Sequence, residues 1–160
     1  MLWAPRGHIM STLSHLAGPS TRPDGPRIVV GIDGSEPSFR ALERAIGEAR
    51  QARALIDVVT AWDFPMVRGY ALTHSPHDVE ENVKEVLEAA FKRVSEEAPE
   101  LVVRSEATDG EAGPVLVDAS LGAELLVVGA RGLGGFQRLL LGSVSSYCAQ
   151  HAACSVLIVR

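Results

Sequence analysis

One stretch of the chain, Val127-Val-Gly-Ala-Arg-Gly-Leu-Gly-Gly-Phe-Gln-Arg-Leu-Leu-Leu-Gly-Ser-Val144, bears on both the fold and the candidate site. It starts as the end of an apolar strand and continues as a glycine-rich loop over 130–142. It closes at Gly142-Ser143, where a helix is predicted to begin. Connections between a strand and a helix usually have about 2–6 residues, so this loop is unusually long. Open α/β folds bind ligands outside the carboxyl ends of their strands, which makes the loop the first candidate binding element.

Short apolar runs alternate with segments of helical periodicity along the rest of the chain. The predicted strands cover 27–33, 55–62, 101–107, 125–129 and 155–159. The predicted helices cover 36–52, 77–98, a segment from Pro114 to Gly122, and 143–152. This alternation predicts a parallel sheet with right-handed crossovers in a three-layer α/β/α, Rossmann-like fold. In the predicted strand order 3-2-1-4-5, strands one and four are neighbours, and a crevice for a ligand opens at their carboxyl ends.

Local residues support several of these elements. Ser35 is placed to cap the first helix, and Pro37 falls in its first turn, where a missing N–H group costs nothing. Arg104 and Glu106 put charge into the third strand, which predicts that this strand lies at a sheet edge.

Composition restricts the classes of function. The chain has 160 residues, a net charge of −5 and 46% hydrophobic residues, which suits one globular domain with a real core. No dense run of Lys and Arg is present, so nucleic acid is not the expected partner. No apolar run approaches the ~20 residues of a membrane helix. Two cysteines do not make a disulfide framework, so a reducing cytoplasm is the expected compartment.

The first 26 residues differ from the rest in composition, with four prolines and three glycines among short apolar clusters. Serine, threonine and histidine interrupt the apolar residues between Met10 and Gly18, so the segment does not match a signal peptide. We interpret 1–26 as a flexible extension and 27–160 as the domain. A true start at Met10 is an alternative that the sequence leaves open.

The long loop carries the chemistry of an anion site. Gly129 and Gly132 allow close approach of the backbone to a ligand. The helix start at Gly142-Ser143 offers unpaired N–H groups and the positive end of the helix dipole, which favour phosphate. Arg131 and Arg138 could add charged contacts. A flexible glycine loop beside a capped helix remains the alternative interpretation.

The spacing Gly129-x2-Gly132-x9-Gly142-Ser143 resembles the nucleotide-binding motif of the universal stress protein family. The opening run from Ile28 to Ser35 is similar to that family as well. So are Val144-Ser145 and the segments from His151 to Cys154 and from Val156 to Val159. The resemblance covers roughly 27–160. It implies an ATP-binding stress-response or signalling module, with or without Mg²⁺. Because the long Gly/Arg loop ends at a helix start, we expect nucleotide occupancy to order the 130–142 loop and so to change a surface that a partner protein contacts.

The resemblance also implies site residues. The implied nucleotide-binding residues are Gly31, Ile32, Asp33, Trp62, Val128, Gly129, Arg131, Gly132, Gly142, Ser143 and Val144. Asp33 would lie near the nucleoside and a metal, and Trp62 would contact adenine. From position alone, Asp33 could simply cap a turn through Ser35, and Trp62 could be ordinary core.

No catalytic motif accompanies the loop. There is no Walker A pattern and no G-x-S-x-G elbow, so binding is expected, with slow ATP hydrolysis at most. A relative that binds only protein partners, without a nucleotide, is the other alternative. His74 and His77 have no third ligand nearby and Cys148 has no activating partner, so neither a metal site nor a nucleophile is expected.

The last predicted strand is short and apolar and lies at the edge of the sheet. An exposed edge invites pairing with a second copy, and the resemblance implies the same homodimer. We therefore expect a homodimer through Val156–Val159.

Overall fold

A computed structural model describes residues 25–62, 76–133 and 140–160, so residues 1–24 of the predicted extension over 1–26 lie outside the described residues. The strands are β1 Arg27–Gly31, β2 Leu55–Trp62, β3 Val103–Asp109, β4 Leu125–Gly129 and β5 Ser155–Val159. The helices are α1 Glu36–Ala52, α2 Pro76–Glu97, α3 Ala112–Ala119 and α4 Ser143–His151.

The five strands form one parallel sheet of order β3-β2-β1-β4-β5. This confirms the predicted fold class and strand order, and it confirms that the charged third strand lies at an edge. Gly31 at the end of β1 pairs with Val59 of β2, and Val30 pairs with Val127 of β4. The carboxyl ends of β1, β2 and β4 therefore lie side by side, as the crevice requires.

Each face of the sheet has its own core. Residues of α1 and α2 cover one face, where Leu42 and Val94 are fully buried. Residues of α3 and α4 cover the other face, where Leu116 and Cys148 pack against the strand side chains that point to that face. Strand side chains alternate between faces, so neighbouring residues in β1, β2 and β4 belong to different clusters. No helix in the described parts of the chain is both long and apolar enough to cross a membrane.

Ser35 caps α1 as predicted. Its side chain accepts a hydrogen bond from the Ser38 N–H at 3.3 Å, and Pro37 lies in the first turn of the helix. The cap fixes the turn between β1 and α1, and this turn carries Asp33.

Several element boundaries differ from the predictions, those of β1 and β3 among them. β1 ends at Gly31 rather than at Asp33, because the chain turns through Asp33 and Gly34, whose φ is +86°. β3 runs over Val103–Asp109 rather than 101–107, because the Leu101 N–H donates to the Ala98 carbonyl in the turn after α2. The apolar residues Leu101 and Val102 gave the misleading sequence pattern.

α3 begins at Ala112, two residues before Pro114, with Glu111 as its N-cap. The missing N–H of Pro114 is harmless there, because the first N–H groups of a helix have no partner within it. The helix ends at Ala119, and Gly122, with φ of +75°, lies in the turn beyond it. The prediction therefore placed both ends of α3 too far along the chain, with a start at Pro114 and an end at Gly122.

Replacing Gly47 with alanine is expected to stabilise the fold by about 1 kcal/mol. Gly47 lies inside α1, and an added Cβ would meet no atom within 4 Å. Alanine costs less backbone entropy than glycine in a helix interior. Urea unfolding of the variant and the wild type checks this value, and an unchanged or lower midpoint would contradict it.

Candidate functional site

A cavity of about 500 Å³ opens at the carboxyl ends of β1, β2 and β4 and at the N-terminus of α4. This volume lies within the range of small-molecule sites. Ten of the eleven predicted site residues line it: Gly31, Ile32, Asp33, Val128, Gly129, Arg131, Gly132, Gly142, Ser143 and Val144. Arg138, also considered from the sequence, lies outside the described residues.

Trp62 is the predicted residue that does not line this cavity. It is the last residue of β2, and its side chain packs against the core cluster on the α1 and α2 face. Val59 and Ala61 of the same strand line the cavity instead. Side chains alternate along a strand, so Trp62 and Ala61 face opposite sides. The structure therefore places the side chain of Trp62 in the core and Ala61 at the site.

Asp33 joins the end of β1 to the long loop. Its Oδ1 accepts hydrogen bonds from the Ser35 N–H at 2.9 Å and from the Ser35 hydroxyl at 2.6 Å. Its Oδ2 accepts from the Leu133 N–H at 3.0 Å. Asp33 thus caps its own turn, as the alternative interpretation proposed, and also reaches the loop 100 residues later in the chain.

Gly132 lies directly against this carboxylate. A Cβ on Gly132 would overlap with Oδ2 of Asp33. The glycine is therefore needed for close approach of the two segments, and its φ is not in the left-handed region. The loop start and the β1 turn form one wall of the cavity because of this contact.

The two ends of the loop are held together at Ala130 and Gly142. The Ala130 carbonyl accepts hydrogen bonds from the Gly142 N–H at 2.7 Å and from the Ser145 hydroxyl at 2.9 Å. The Ser145 hydroxyl also lies 3.1 Å from the Gly142 carbonyl, a second acceptor for its single proton. Ser145 was not predicted as a site residue from the sequence. Its place three residues after Gly142 is the signal that could have indicated it.

The first N–H groups of α4 face the cavity and have no acceptor among residues 25–62, 76–133 and 140–160. Gly142 is the N-cap residue, and no side chain of these residues caps the helix. The Ser146 N–H is the first to bond within the helix, to the Gly142 carbonyl at 3.0 Å. The N–H groups of Ser143, Val144 and Ser145 precede it and have no helical acceptor. No acidic residue lies in the first turn, so the positive end of the helix dipole is uncompensated.

Two further polar side chains lie at this end of the cavity. Ser143 is exposed at the first position of α4, and no hydrogen bond engages its hydroxyl within the described residues. Arg131 is exposed and has no ion pair with the part of the chain that the structure describes. The Ser143 hydroxyl, the Arg131 guanidinium and the first N–H groups of α4 are therefore hydrogen-bond donors with no acceptor among the described residues.

The opposite end of the cavity is apolar and was not predicted from the sequence. Val59 and Ala61 of β2, and Ala112 and Leu116 of α3, line it. These are small or aliphatic residues in ordinary strand and helix patterns, so no sequence motif distinguishes them. Ala61 lines the cavity because β1 ends at Gly31, opposite Val59, and so leaves the end of β2 uncovered.

The backbone of Ala61 is the main polar feature of this apolar end. The Val59 carbonyl accepts from the Ile32 N–H on the β1 side, whereas the Trp62 carbonyl accepts from the Gly110 N–H on the β3 side. Alternation along β2 therefore turns the N–H and C=O of Ala61 toward β1, which has already ended. Neither group has a backbone partner among the described residues. The cavity thus contains an adjacent donor and acceptor in fixed geometry.

Comparison with known proteins identifies this architecture. The sequence model of the universal stress protein family matches residues 26–160. The chain belongs to the universal stress protein family. Universal stress protein YxiE of Bacillus subtilis is 30% identical over 145 residues, which cover 84% of this chain and 98% of the relative.

Two other universal stress proteins extend the comparison. A relative from Mycobacterium tuberculosis is 32% identical over 137 residues, which cover 83% of this chain but 47% of the relative. This chain therefore spans about half the length of that relative. A solved universal stress protein in complex with cAMP is 29% identical, with a TM-score of 0.65, and the match covers 84% of this chain and 97% of that one.

Histidines and cysteines were the other candidates considered from the sequence. His74 and the side chain of His77 lie outside the described residues. The described residues contain no group of three or more His, Cys, Asp or Glu side chains that could hold a metal ion. Cys148 and Cys154 are both unpaired thiols, and neither lines the cavity.

Cys148 gives the protein an expected loss of stability at alkaline pH. Cys148 is fully buried, and this burial raises its pKa from 9.0 to about 11. The thiolate is disfavoured only in the folded protein, so this contribution to stability is complete below pH 9 and declines as the pH rises toward 11.

Urea unfolding of the wild type and of a Cys148→Ala variant between pH 8 and 10.5 measures this contribution. The alanine variant is less stable throughout, and the difference between the two proteins should shrink as the pH rises. A difference that stays constant over this range would contradict the assignment.

Proposed function

We propose that this universal stress protein binds ATP in the cavity and acts as a stress-response or signalling module. The observation that carries the proposal is the division of the cavity into two ends. Unpaired N–H groups and Arg131 lie at one end, and an apolar wall with an exposed backbone donor and acceptor lies at the other. A nucleotide is divided in the same way, because its phosphates are anionic acceptors and its base is a largely apolar ring with hydrogen-bonding groups at its edge.

The phosphates would lie at the N-terminus of α4. The N–H groups of Ser143, Val144 and Ser145 and the hydroxyl of Ser143 can donate to phosphate oxygen atoms. Arg131 adds a guanidinium group, which forms strong charge-assisted hydrogen bonds with phosphate. The whole chain carries a net charge of −5, so these local donors, rather than the overall field, support anion binding.

The base would lie against Val59, Ala61, Ala112 and Leu116. The Watson–Crick edge of adenine carries an acceptor at N1 and a donor at N6, which match the N–H and C=O of Ala61. Guanine carries a donor at N1 and an acceptor at O6, so the same backbone groups would oppose it. The geometry therefore supports adenine over guanine.

The ribose would lie near Asp33, between these two ends. Ribose hydroxyls are donors, and Asp33 is a carboxylate that lines the cavity. Each carboxylate oxygen has more than one lone pair and can accept again beyond its present hydrogen bonds. Mg²⁺ is commonly held by one or two carboxylates together with phosphates, and Asp33 could supply one such ligand.

We propose binding rather than rapid turnover. Asp33 is the carboxylate among the described lining residues, and the proposed site uses it for the ribose or for Mg²⁺. A general base needs a group that is free to take a proton from the attacking water. The related protein that was solved with cAMP supports an adenine nucleotide as the ligand class.

Equilibrium dialysis with labelled ATP tests the proposal. ATP should bind and be displaced by excess unlabelled ATP, and GTP should compete at least tenfold less well, since two opposed hydrogen bonds cost more than about 1.4 kcal/mol. Equal competition by GTP would refute the role of Ala61. No binding of ATP at millimolar concentration by folded protein would refute the proposed function.

The link to signalling rests on the surface around the cavity. Leu133 and Leu140 stand on either side of residues 134–139, which the structure does not describe. These two leucines are 77% and 73% exposed. Large exposed apolar side chains beside a ligand site suit contact with a partner protein. We propose that occupancy of the cavity changes how this surface is presented.

We also propose a homodimer through β5. β5 is an edge strand, and its residues from Val156 to Val159 are only partly buried. An apolar edge with unpaired backbone groups favours strand pairing across a two-fold axis. Light scattering at micromolar concentration should give twice the monomer mass, and a monomer would refute this proposal.

The proposed compartment is the reducing cytoplasm. Both cysteines are free thiols, and Cys154 is partly exposed. Proteins of oxidising compartments commonly pair their cysteines. Mass spectrometry of protein alkylated inside intact cells should find both thiols reduced.

A further inference from the structure

Ser145 lines the cavity, and its hydroxyl lies within hydrogen-bond distance of backbone carbonyls at both ends of the long loop. The residue is 2% exposed. The hydroxyl lies 2.9 Å from the Ala130 carbonyl and 3.1 Å from the Gly142 carbonyl. It therefore contacts both the residue where the long loop begins and the residue where it ends.

We infer that Ser145 is a positioning residue that sets the geometry of the phosphate-binding end of the cavity. This inference rests on the proposed function. The Ala130 carbonyl accepts from Gly142 N–H and from the Ser145 hydroxyl, so two donors from the α4 side hold the start of the loop. Arg131 and Gly132 follow Ala130 directly, and Ser143 follows Gly142. Their relative positions depend on this junction.

Loss of the Ser145 hydroxyl should weaken the binding of phosphate groups and leave the binding of the base nearly unchanged. The junction lies between the two segments that would contact phosphate, and its hydrogen bonds go to Ala130 and Gly142 and not to the apolar wall formed by Val59, Ala61, Ala112 and Leu116. Loss of the hydroxyl leaves one of the two hydrogen bonds to Ala130. The loop ends then sample a wider range of separations, and the donors meet the phosphates less often in the productive arrangement. Binding of adenosine, which has no phosphate, should change little.

Calorimetric titrations of ATP and adenosine into the full chain test this inference. Ser145→Ala removes the hydroxyl, and Ser145→Cys keeps the volume with a weak donor. In both variants the Kd for ATP should rise about tenfold, the effect of losing one buried hydrogen bond. The Kd for adenosine should rise less than twofold, and Ser145→Thr, which keeps the hydroxyl, should restore the affinity for ATP.

Ser120→Ala is the matched control. Ser120 is fully buried like Ser145, and its hydroxyl donates to the Val117 carbonyl at 2.6 Å and accepts from the Ala153 N–H at 3.0 Å, away from the cavity. This variant should lose thermal stability with no change in the ratio of the two Kd values.

The outcomes separate the inference from the proposed function. A selective loss of ATP affinity in Ser145→Ala and Ser145→Cys supports the role of Ser145. An unchanged ratio of the two Kd values, with only a lower melting temperature, overturns it and leaves nucleotide binding intact. Wild-type protein that binds neither ligand refutes the proposed function, and the inference falls with it.

Discussion

Replacing Gly142 with valine is expected to raise the Kd for ATP at least a hundredfold while the protein stays folded. The φ of Gly142 is −77°, which any residue adopts, and an added Cβ would meet no atom of the described residues closer than 3.5 Å. The fold therefore does not require glycine at this position. A branched side chain would instead fill the space in front of the unpaired N–H groups of α4, where the phosphates would lie. A hundredfold change corresponds to about 2.8 kcal/mol.

The Gly142→Val experiment needs a measure of folding beside the titration. A less favourable N-cap residue costs about 1 kcal/mol, so the urea midpoint should fall only slightly. Gly142→Ala should give an intermediate Kd, and Gly47→Ala, in a helix far from the cavity, should leave the Kd unchanged. Wild-type affinity in a folded Gly142→Val protein would show that the phosphates do not approach α4.

Replacing Asp33 with alanine is expected to lower the free energy of unfolding by about 2 kcal/mol and to weaken ATP binding about tenfold. The carboxylate accepts three hydrogen bonds, from the N–H and hydroxyl of Ser35 and from the N–H of Leu133. Its loss leaves these donors without their acceptor and releases the loop start from the β1 turn. Hydrogen bonds to a charged group contribute about 1.5–3 kcal/mol, reduced here because Asp33 is partly exposed. Urea unfolding and calorimetry measure the two effects.

Asp33→Asn provides a finer test of the same contact. The amide keeps one oxygen but places an NH₂ group against donors, so this variant should lie between the wild type and alanine in stability. Asp118→Asn is the matched control, because Asp118 is an exposed aspartate on α3 whose side chain has no hydrogen bond among the described residues. If both Asp33 variants were as stable as Asp118→Asn, the hydrogen bond from Leu133 to Asp33 would not stabilise the fold.

The sequence was sufficient for the fold because its elements follow from local patterns. β-branched runs, the Ser35 cap and the periodicity of the helices are properties of neighbouring residues, and strand alternation with helices leaves few topologies. Boundaries were less certain. Leu101 and Val102 continue an apolar pattern into a turn, and only the pairing of Val103 with Ile56 shows where β3 begins.

The site could be predicted only where a motif marks it. The glycine spacing led to Gly129, Gly132, Gly142 and Ser143, all of which line the cavity. The apolar end has no such spacing, because Ala61 matters through its backbone and through the early end of β1. The next residue, Trp62, was predicted in its place. The family resemblance implied Trp62, and strand parity, which depends on the exact register, places that side chain on the other face.

Calorimetric titration of ATP into the purified full chain tests the central claim most directly. The two-ended cavity predicts saturable binding with one ATP per chain, and it predicts that Gly142→Val abolishes the heat signal while circular dichroism shows a folded protein. Absence of binding by the folded wild type at millimolar ATP would contradict the claim that the cavity is a nucleotide site.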